Sequence, residues 1–261
     1  MADKWITSLE EDNLEKIELI CLAAQTVLEN GGETYRVEET AQRMAKGLGL
    51  GELSITAFPT SIFVESHGRA RVRRISRRGT NLRRLTEAND ISRRVERGEI
   101  GAQEARRLLC AAREMPGPSQ LVQILGSGLA GASFSLLFGG DVGTFTVAFL
   151  IGMLAQMVQP LFSHIEMSAF FGNFAGGLIT AVLAEGIALF VPYGSVNATI
   201  IGSIMPWLSG LSMTNAVRDT MYGDLISGVT RAVEGLLMAA FTALGVYVGL
   251  SLFAMGGGML P

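Results

Sequence analysis

Residues 207–237 read WLSGLSMTNAVRDTMYGDLISGVTRAVEGLL. The stretch sets Asn215, Arg218, Asp219, Asp224, Arg231 and Glu234 between two long apolar runs. The hundred or so residues before it, Pro116 to Val217, carry only three formal charges: Asp141, Glu166 and Glu185. Ionisable groups at membrane depth cost at least ~2.5–3.5 kcal/mol each on insertion scales, and they face a partner or a polar cavity. The five charges in 207–237 therefore point to a polar pathway beside a membrane span.

Working outward, the chain divides into unlike parts. Residues 1–115 are polar and charge-rich, whereas residues 116–261 are apolar and hold 23 of the 32 glycines. A spanning helix needs about 20 apolar residues. Five spans are expected, at about 118–138, 142–162, 168–190, 196–216 and 226–253. The fourth is interrupted by Pro206 and by glycine and serine, which survive at membrane depth only where protein or a wet cavity satisfies the freed backbone groups. The fold class expected is a multi-span α-helical membrane protein with an N-terminal cytoplasmic α+β domain, residues 1–115, before a transmembrane domain, residues 116–261.

Charge sets the expected orientation. MADKWITSLEED lacks the apolar core of a signal peptide. Fourteen of the eighteen arginines lie between Arg69 and Arg113, against five acids, just before the first span. Positive charge near a span end stays inside. This block reads as an orientation signal and a lipid contact, with anion binding as a second role. Few aromatics lie between its arginine pairs to stack on bases, so no nucleic acid is expected. The expected location is the plasma (inner) membrane, multi-pass, with five spans placing the C-terminal tail outside. Cys21 and Cys110 read as reduced, packed side chains.

Within 1–115, apolar residues at Leu14, Ile17, Cys21, Ala24 and Leu28 have helical spacing, and Asn30-Gly31-Gly32 stops that helix. A second helix is expected over 34–46. Strands follow at 53–58, 61–66 and 70–75, with turns at Pro59-Thr60 and His67-Gly68. Two more helices come next. The first has Leu82, Leu85, Ala88, Ile91 and Val95 on one face, and the second covers about 102–114. Met115-Pro116-Gly117-Pro118 marks the boundary.

Conventional catalysis finds little footing. There is no GxxxxGK[ST] loop, and His67 and His164 lack neighbours at ligand spacing, so no enzyme activity, cofactor or metal is expected. Tyr222-Gly223-Asp224 with Asp219 allows a weaker intramembrane aspartyl hydrolase reading, but those acids lie five apart on one segment and do not obviously face each other. Asp224, Ser227, Arg231 and Glu234 share one helix face, which lets Arg231 pair with Ser227 and Glu234. Asn215, Arg218 and Asp219 repeat the spacing. Such a cluster either anchors two helix ends at the inner interface or also lines a permeation path. In the spans, Asn173 and Glu185 are the deeper polar candidates, with Glu166 nearer the inner interface and Asn197 nearer the outer one. Gly126-Ser127-Gly128, Gly172–Gly176 and Gly245–Gly249 read as helix-packing sites.

TNAVRDTMYGDLISGVTRAVEGL resembles the hallmark of the threonine/serine exporter family, and GGETYRVEET (31–40) resembles its second signature. The resemblance covers about residues 14–253. It implies a cytoplasmic domain, five spans and a second membrane half, which in a split form is a separate small membrane subunit. One split pair is associated with succinate export, and single-chain members export threonine and serine. The resemblance thus implies substrate contact or translocation at Asn215, Arg218, Asp219, Asp224, Ser227, Arg231 and Glu234, and gating or entry at Glu33, Thr34, Arg36 and Glu38, and the deeper polar Asn173 and Glu185 are expected to join the translocation set. Gly31-Gly32 could equally be a plain helix-to-helix turn, with Glu33 and Thr34 capping. The expected function is a secondary-transporter subunit exporting small carboxylates or amino acids, with a second subunit and a possible homo-oligomer as partners. The competing class is a membrane-anchored sensor whose soluble domain binds a ligand.

Overall fold

The computed structural model describes residues 2–51, 53–66, 68–164, 169–191 and 193–256, without the side chains of 2–12, 69, 161–164 and 256. The chain forms two units: Met1–Gly117 with Met213–Ala232, and Pro118–Ser212 with Val233–Pro261. The expected His67-Gly68 turn and the placement of Glu166 involve residues outside those described.

The first unit opens with α1 (Ala2–Glu29) and α2 (Thr34–Gly47). Three antiparallel strands follow in the order β1 (Ser54–Phe58), β2 (Ser61–Ser66), β3 (Arg69–Arg74). Ile62 pairs with Ala57 and with Arg73, and Val64 with Ile55 and Arg71. Alternation along β2 buries Ile62 and Val64 on one face, as the period of two requires. Helices α3 (Leu82–Glu96) and α4 (Ala102–Glu114) complete the layer. Ile17, Ile20, Val27, Met44, Ile62, Val95 and Leu109 are fully enclosed, each worth ~1.5–3 kcal/mol of burial. Leu82 departs from its expected inward face and is 59% exposed. Asn81 caps α3 by accepting the Arg84 N–H at 3.2 Å, which leaves Leu82 in the outward first turn.

The second unit holds α5 (Gln120–Leu137), α6 (Val142–His164), α7 (Ala169–Phe190) and α8 (Val196–Ile204). A 3-10 turn, Met205–Trp207, leads to α9 (Gly210–Met221), and α10 (Leu225–Gly256) follows. Both α9 and α10 contribute residues to each unit. Among the described residues four helices are long and apolar enough to cross a membrane: Gln120–Leu137, Val142–Pro160, Ala169–Phe190 and Leu225–Met255.

The expected fourth span is therefore corrected. Residues 196–216 do not form one helix but break after α8. Pro206 has no N–H to continue the ladder, and Leu208 turns extended with ψ 129°. The freed Trp207 carbonyl is taken by the Asn173 side chain, whose Nδ2 lies 3.3 Å from it and 3.3 Å from the Met238 carbonyl.

Close helix approach depends on missing side chains. A Cβ on Gly177 would meet the Thr242 carbonyl oxygen at 2.2 Å, and one on Gly245 would meet that of Phe174 at 2.0 Å. Gly128 similarly faces the Phe149 carbonyl oxygen at 2.8 Å, while Gly126 and Gly172 meet nothing.

Candidate functional site

The α1–α2 turn and the α9–α10 corner meet inside the first unit. The turn forms because Gly31 takes φ 96°, open to glycine, and because Gly32 lies so close to Val27 that a Cβ would meet its Cγ1 at 2.4 Å. This aims the Gly31 and Gly32 carbonyls and the first N–H groups of α2 at the corner. Asn215 Nδ2 donates to the Gly31 carbonyl at 3.0 Å. Arg231 Nη2 donates to the Gly32 carbonyl at 3.0 Å. Asp219 Oδ1 accepts the Thr34 N–H at 3.0 Å.

Asp219 and Arg231 also meet each other. Arg231 Nε lies 3.0 Å from Asp219 Oδ2, an ion pair without an aligned hydrogen bond. Asp219 is fully buried and Arg231 is 6% exposed. The partners seen for Arg231 are thus on another helix and on a turn, which same-helix spacing with Ser227 did not suggest. Ser227 is buried with its hydroxyl unpartnered, while its N–H donates to Asp224 Oδ1 at 3.1 Å. Asp224 thereby caps α10. Gly223, at φ 91°, makes the corner, and the Asp224 N–H returns to the Asp219 carbonyl at 2.9 Å.

Glu33 does not cap α2 through its side chain. Its carboxylate pairs with Arg218 of α9, and Arg36 Nε lies 2.8 Å from its other oxygen. Burial pushes the Glu33 carboxyl up, but its own backbone N–H, Arg218 and Arg36 prevail and hold it below the usual range. Glu38 differs. Burial raises its pKa, the Ala57 N–H (3.0 Å) opposes this, and the charges of Asp224 and Asp219 raise it further. Tyr35 and Tyr222 stack with centroids 4.0 Å apart and planes 11° apart.

Of the expected residues, Glu33, Thr34, Arg36, Asn215, Arg218, Asp219, Asp224 and Arg231 thus share direct contacts in one unit, and Glu38 joins them through the charges it feels. Asn173, Glu185 and Glu234 belong to the second unit. Asn173 staples backbone there, and Glu185 is a near charge to Tyr193. Sequence reasoning missed the Tyr35–Tyr222 stack and the use of the Gly31 and Gly32 carbonyls. Both tyrosines lie inside the two quoted motifs, which was the available signal.

Among the described residues, four helices long and apolar enough to cross a membrane fit a polytopic helical membrane protein. The chain belongs to the family described as "Putative threonine/serine exporter", whose model matches residues 18–253. It is 24% identical over 245 residues to "Probable succinate transporter subunit YjjP" of Klebsiella aerogenes, covering 91% of this chain and 94% of that protein. It is 22% identical over 241 residues to "Probable threonine/serine exporter" of Mycobacterium tuberculosis, covering 90% of this chain and 45% of that one. It is 26% identical over 187 residues to "Threonine/serine exporter" of Corynebacterium glutamicum, covering 70% and 38%. No solved structure matches the chain. The membrane-anchored sensor reading finds no support in these relatives.

Proposed function

We propose that this chain is one subunit of a secondary exporter for small carboxylate metabolites, of the threonine/serine or succinate type, in the plasma membrane. The observation that carries the reading is the buried Asp219–Arg231 pair seated on the N-terminus of α2. A helix N-terminus with an arginine beside it is a carboxylate site. Asp219 occupies that position itself, so a substrate carboxylate gains the site by displacing it, and Arg218 supplies a second, half-exposed guanidinium at the rim. Glu33, Thr34, Arg36 and Glu38 act at the entry, Asn215, Asp224, Ser227 and Arg231 along the corner, and Asn173, Glu185 and Glu234 within the spans.

The N-terminal region, 1–115, is assigned to the cytoplasm on its arginine excess before the first span. A second small membrane subunit is the partner, on the word "subunit" in the name of the Klebsiella aerogenes relative. The span Leu225–Met255 is mostly unburied within the chain, which leaves apolar surface for lipid, that subunit or another copy. An inside-negative potential of 100 mV is worth ~2.3 kcal/mol per charge, so it expels a dicarboxylate unaided, whereas a zwitterion needs a coupled ion.

Counterflow in proteoliposomes tests the reading, with potential and pH gradient clamped separately. Uptake of labelled succinate, threonine or serine should need both subunits and should fail with Arg231→Gln. Full transport by the purified single chain would remove the second subunit. Transport of a cation indifferent to all three competitors would overturn the substrate class.

A further inference from the structure

We propose that the first unit carries a second, separate binding site, for a compact phosphate-bearing anion, in a cavity of about 640 Å³ lined by Arg74, Arg77, Arg78, Arg84 and Arg113 with Glu29 as its one acid. Nothing in the transport reading uses this cavity, and the proposal stands without it.

The charge balance is the first argument. Among the described residues the lining holds five guanidiniums and one carboxylate, and Arg78 has a further partner of its own. Both oxygens of that carboxylate are already engaged, Oε1 by Gln25 Nε2 at 2.6 Å and Oε2 by Arg113 Nη2 at 3.1 Å. Glu29 is thus taken up by Arg113, and Arg74, Arg77 and Arg84 keep the concave site positive. Such an excess calls for an anion with more than one charge. Guanidinium forks match phosphate oxygens two at a time, which a lone monocarboxylate cannot exploit across several arginines.

Rigidity is the second argument. The Gly79 N–H donates to the Glu29 carbonyl at 2.8 Å and the Asn81 N–H to the Asn30 carbonyl at 3.3 Å, so the rim between β3 and α3 is tied to the end of α1. Arg84 Nε donates to the Met115 carbonyl at 2.8 Å, which fixes the opposite wall. The backbone that frames the site is thus held by these bonds.

The lining also limits the ligand. No aromatic side chain is among the lining residues, so there is no platform for a nucleobase. The volume lies within the usual ligand range and exceeds one phosphate. A diphosphate, a small phosphate ester or a phosphodiester headgroup fits these demands. The lipid source is open because Gly117, in the lining, precedes the start of α5 at Gln120 by three residues.

The test uses the purified full chain in phosphate-free detergent. Pyrophosphate is the soluble probe, read by calorimetry at low and moderate salt. Phosphatidylglycerol against phosphatidylcholine in mixed micelles is the lipid probe, read by native mass spectrometry. Arg74→Gln with Arg77→Gln changes two exposed side chains and should weaken the bound probe by about tenfold or more. Arg107→Gln, whose partner is Glu104 outside the cavity, is the control and should leave binding unchanged. Binding of pyrophosphate, or of phosphatidylglycerol alone, with this pattern upholds the site and names its source. Binding of neither, or equal loss in the control, overturns it.

Discussion

The backbone N–H of Thr34 donates to the carboxylate of Asp219, 185 positions away in the chain, at 3.0 Å. The same carboxylate lies 3.0 Å from Arg231. One buried acid therefore holds a helix start and a buried cation together.

Removing that acid should be costly. Asp219→Asn keeps an oxygen for Thr34 but takes the Asp219 charge away from buried Arg231. The expected loss is ~3–5 kcal/mol of stability. Arg231→Gln should cost as much, and Asp219→Asn with Arg231→Gln less than the sum, because no charge is then stranded. Thermal melts in detergent of the three variants check this, and strictly additive losses would mean that the pair is not coupled.

Glu38 should give the fold a dependence on pH. Its pKa is raised by burial and by the charges of Asp224 and Asp219. A raised folded-state pKa means that its contribution is full below the ordinary glutamate value of about 4.3 and is lost as pH rises through the raised value. Glu38→Gln keeps an acceptor for the Ala57 N–H and should stabilise the chain above that window and not below it. Melting curves at acidic and neutral pH decide, and an equal shift at both would refute the assignment.

The α9–α10 corner should resist even a methyl group. A Cβ on Gly228 would lie 2.1 Å from Thr220 Oγ1 and 2.9 Å from the Ala216 carbonyl oxygen. Gly228→Ala should cost ~1–3 kcal/mol. Adding Thr220→Ala removes the nearer obstacle and should recover part of the loss, leaving the backbone contact.

The aromatic stack should contribute modestly. Tyr35 and Tyr222 are stacked, but Tyr222 is 67% exposed. Tyr222→Ala should cost ~0.5–1.5 kcal/mol, and Tyr222→Phe almost nothing. If the two behave alike in melts, the ring contact contributes nothing.

Local patterns made much of this legible. A strand-like run between turns located β2, which the structure places at Ser61–Ser66, and the helical spacing of Leu85, Ala88, Ile91 and Val95 located α3. Charge after a long apolar stretch singled out Asp219 and Arg231 before any geometry was known. What escaped was non-local. No spacing tells that Asp219 will cap a helix begun at Thr34, since the signal is a backbone N–H that every residue but proline owns. Same-helix reasoning therefore named neither Asp219 nor the Gly32 carbonyl as a partner of Arg231. Pro206 was visible as an interruption, but whether a chain spans through a proline or breaks depends on who accepts the freed carbonyl, and Asn173 sits 34 positions away.

That single amide has a mechanical meaning. A broken helix frees backbone groups that must find partners within the protein or in a wet cavity. Here the loose end is riveted. Asn173 of α7 grips the Trp207 carbonyl with one hand and the Met238 carbonyl of α10 with the other. Gly177 and Gly245 let α7 and α10 touch backbone to backbone. The break, α7 and this part of α10 are thereby tied into one strut.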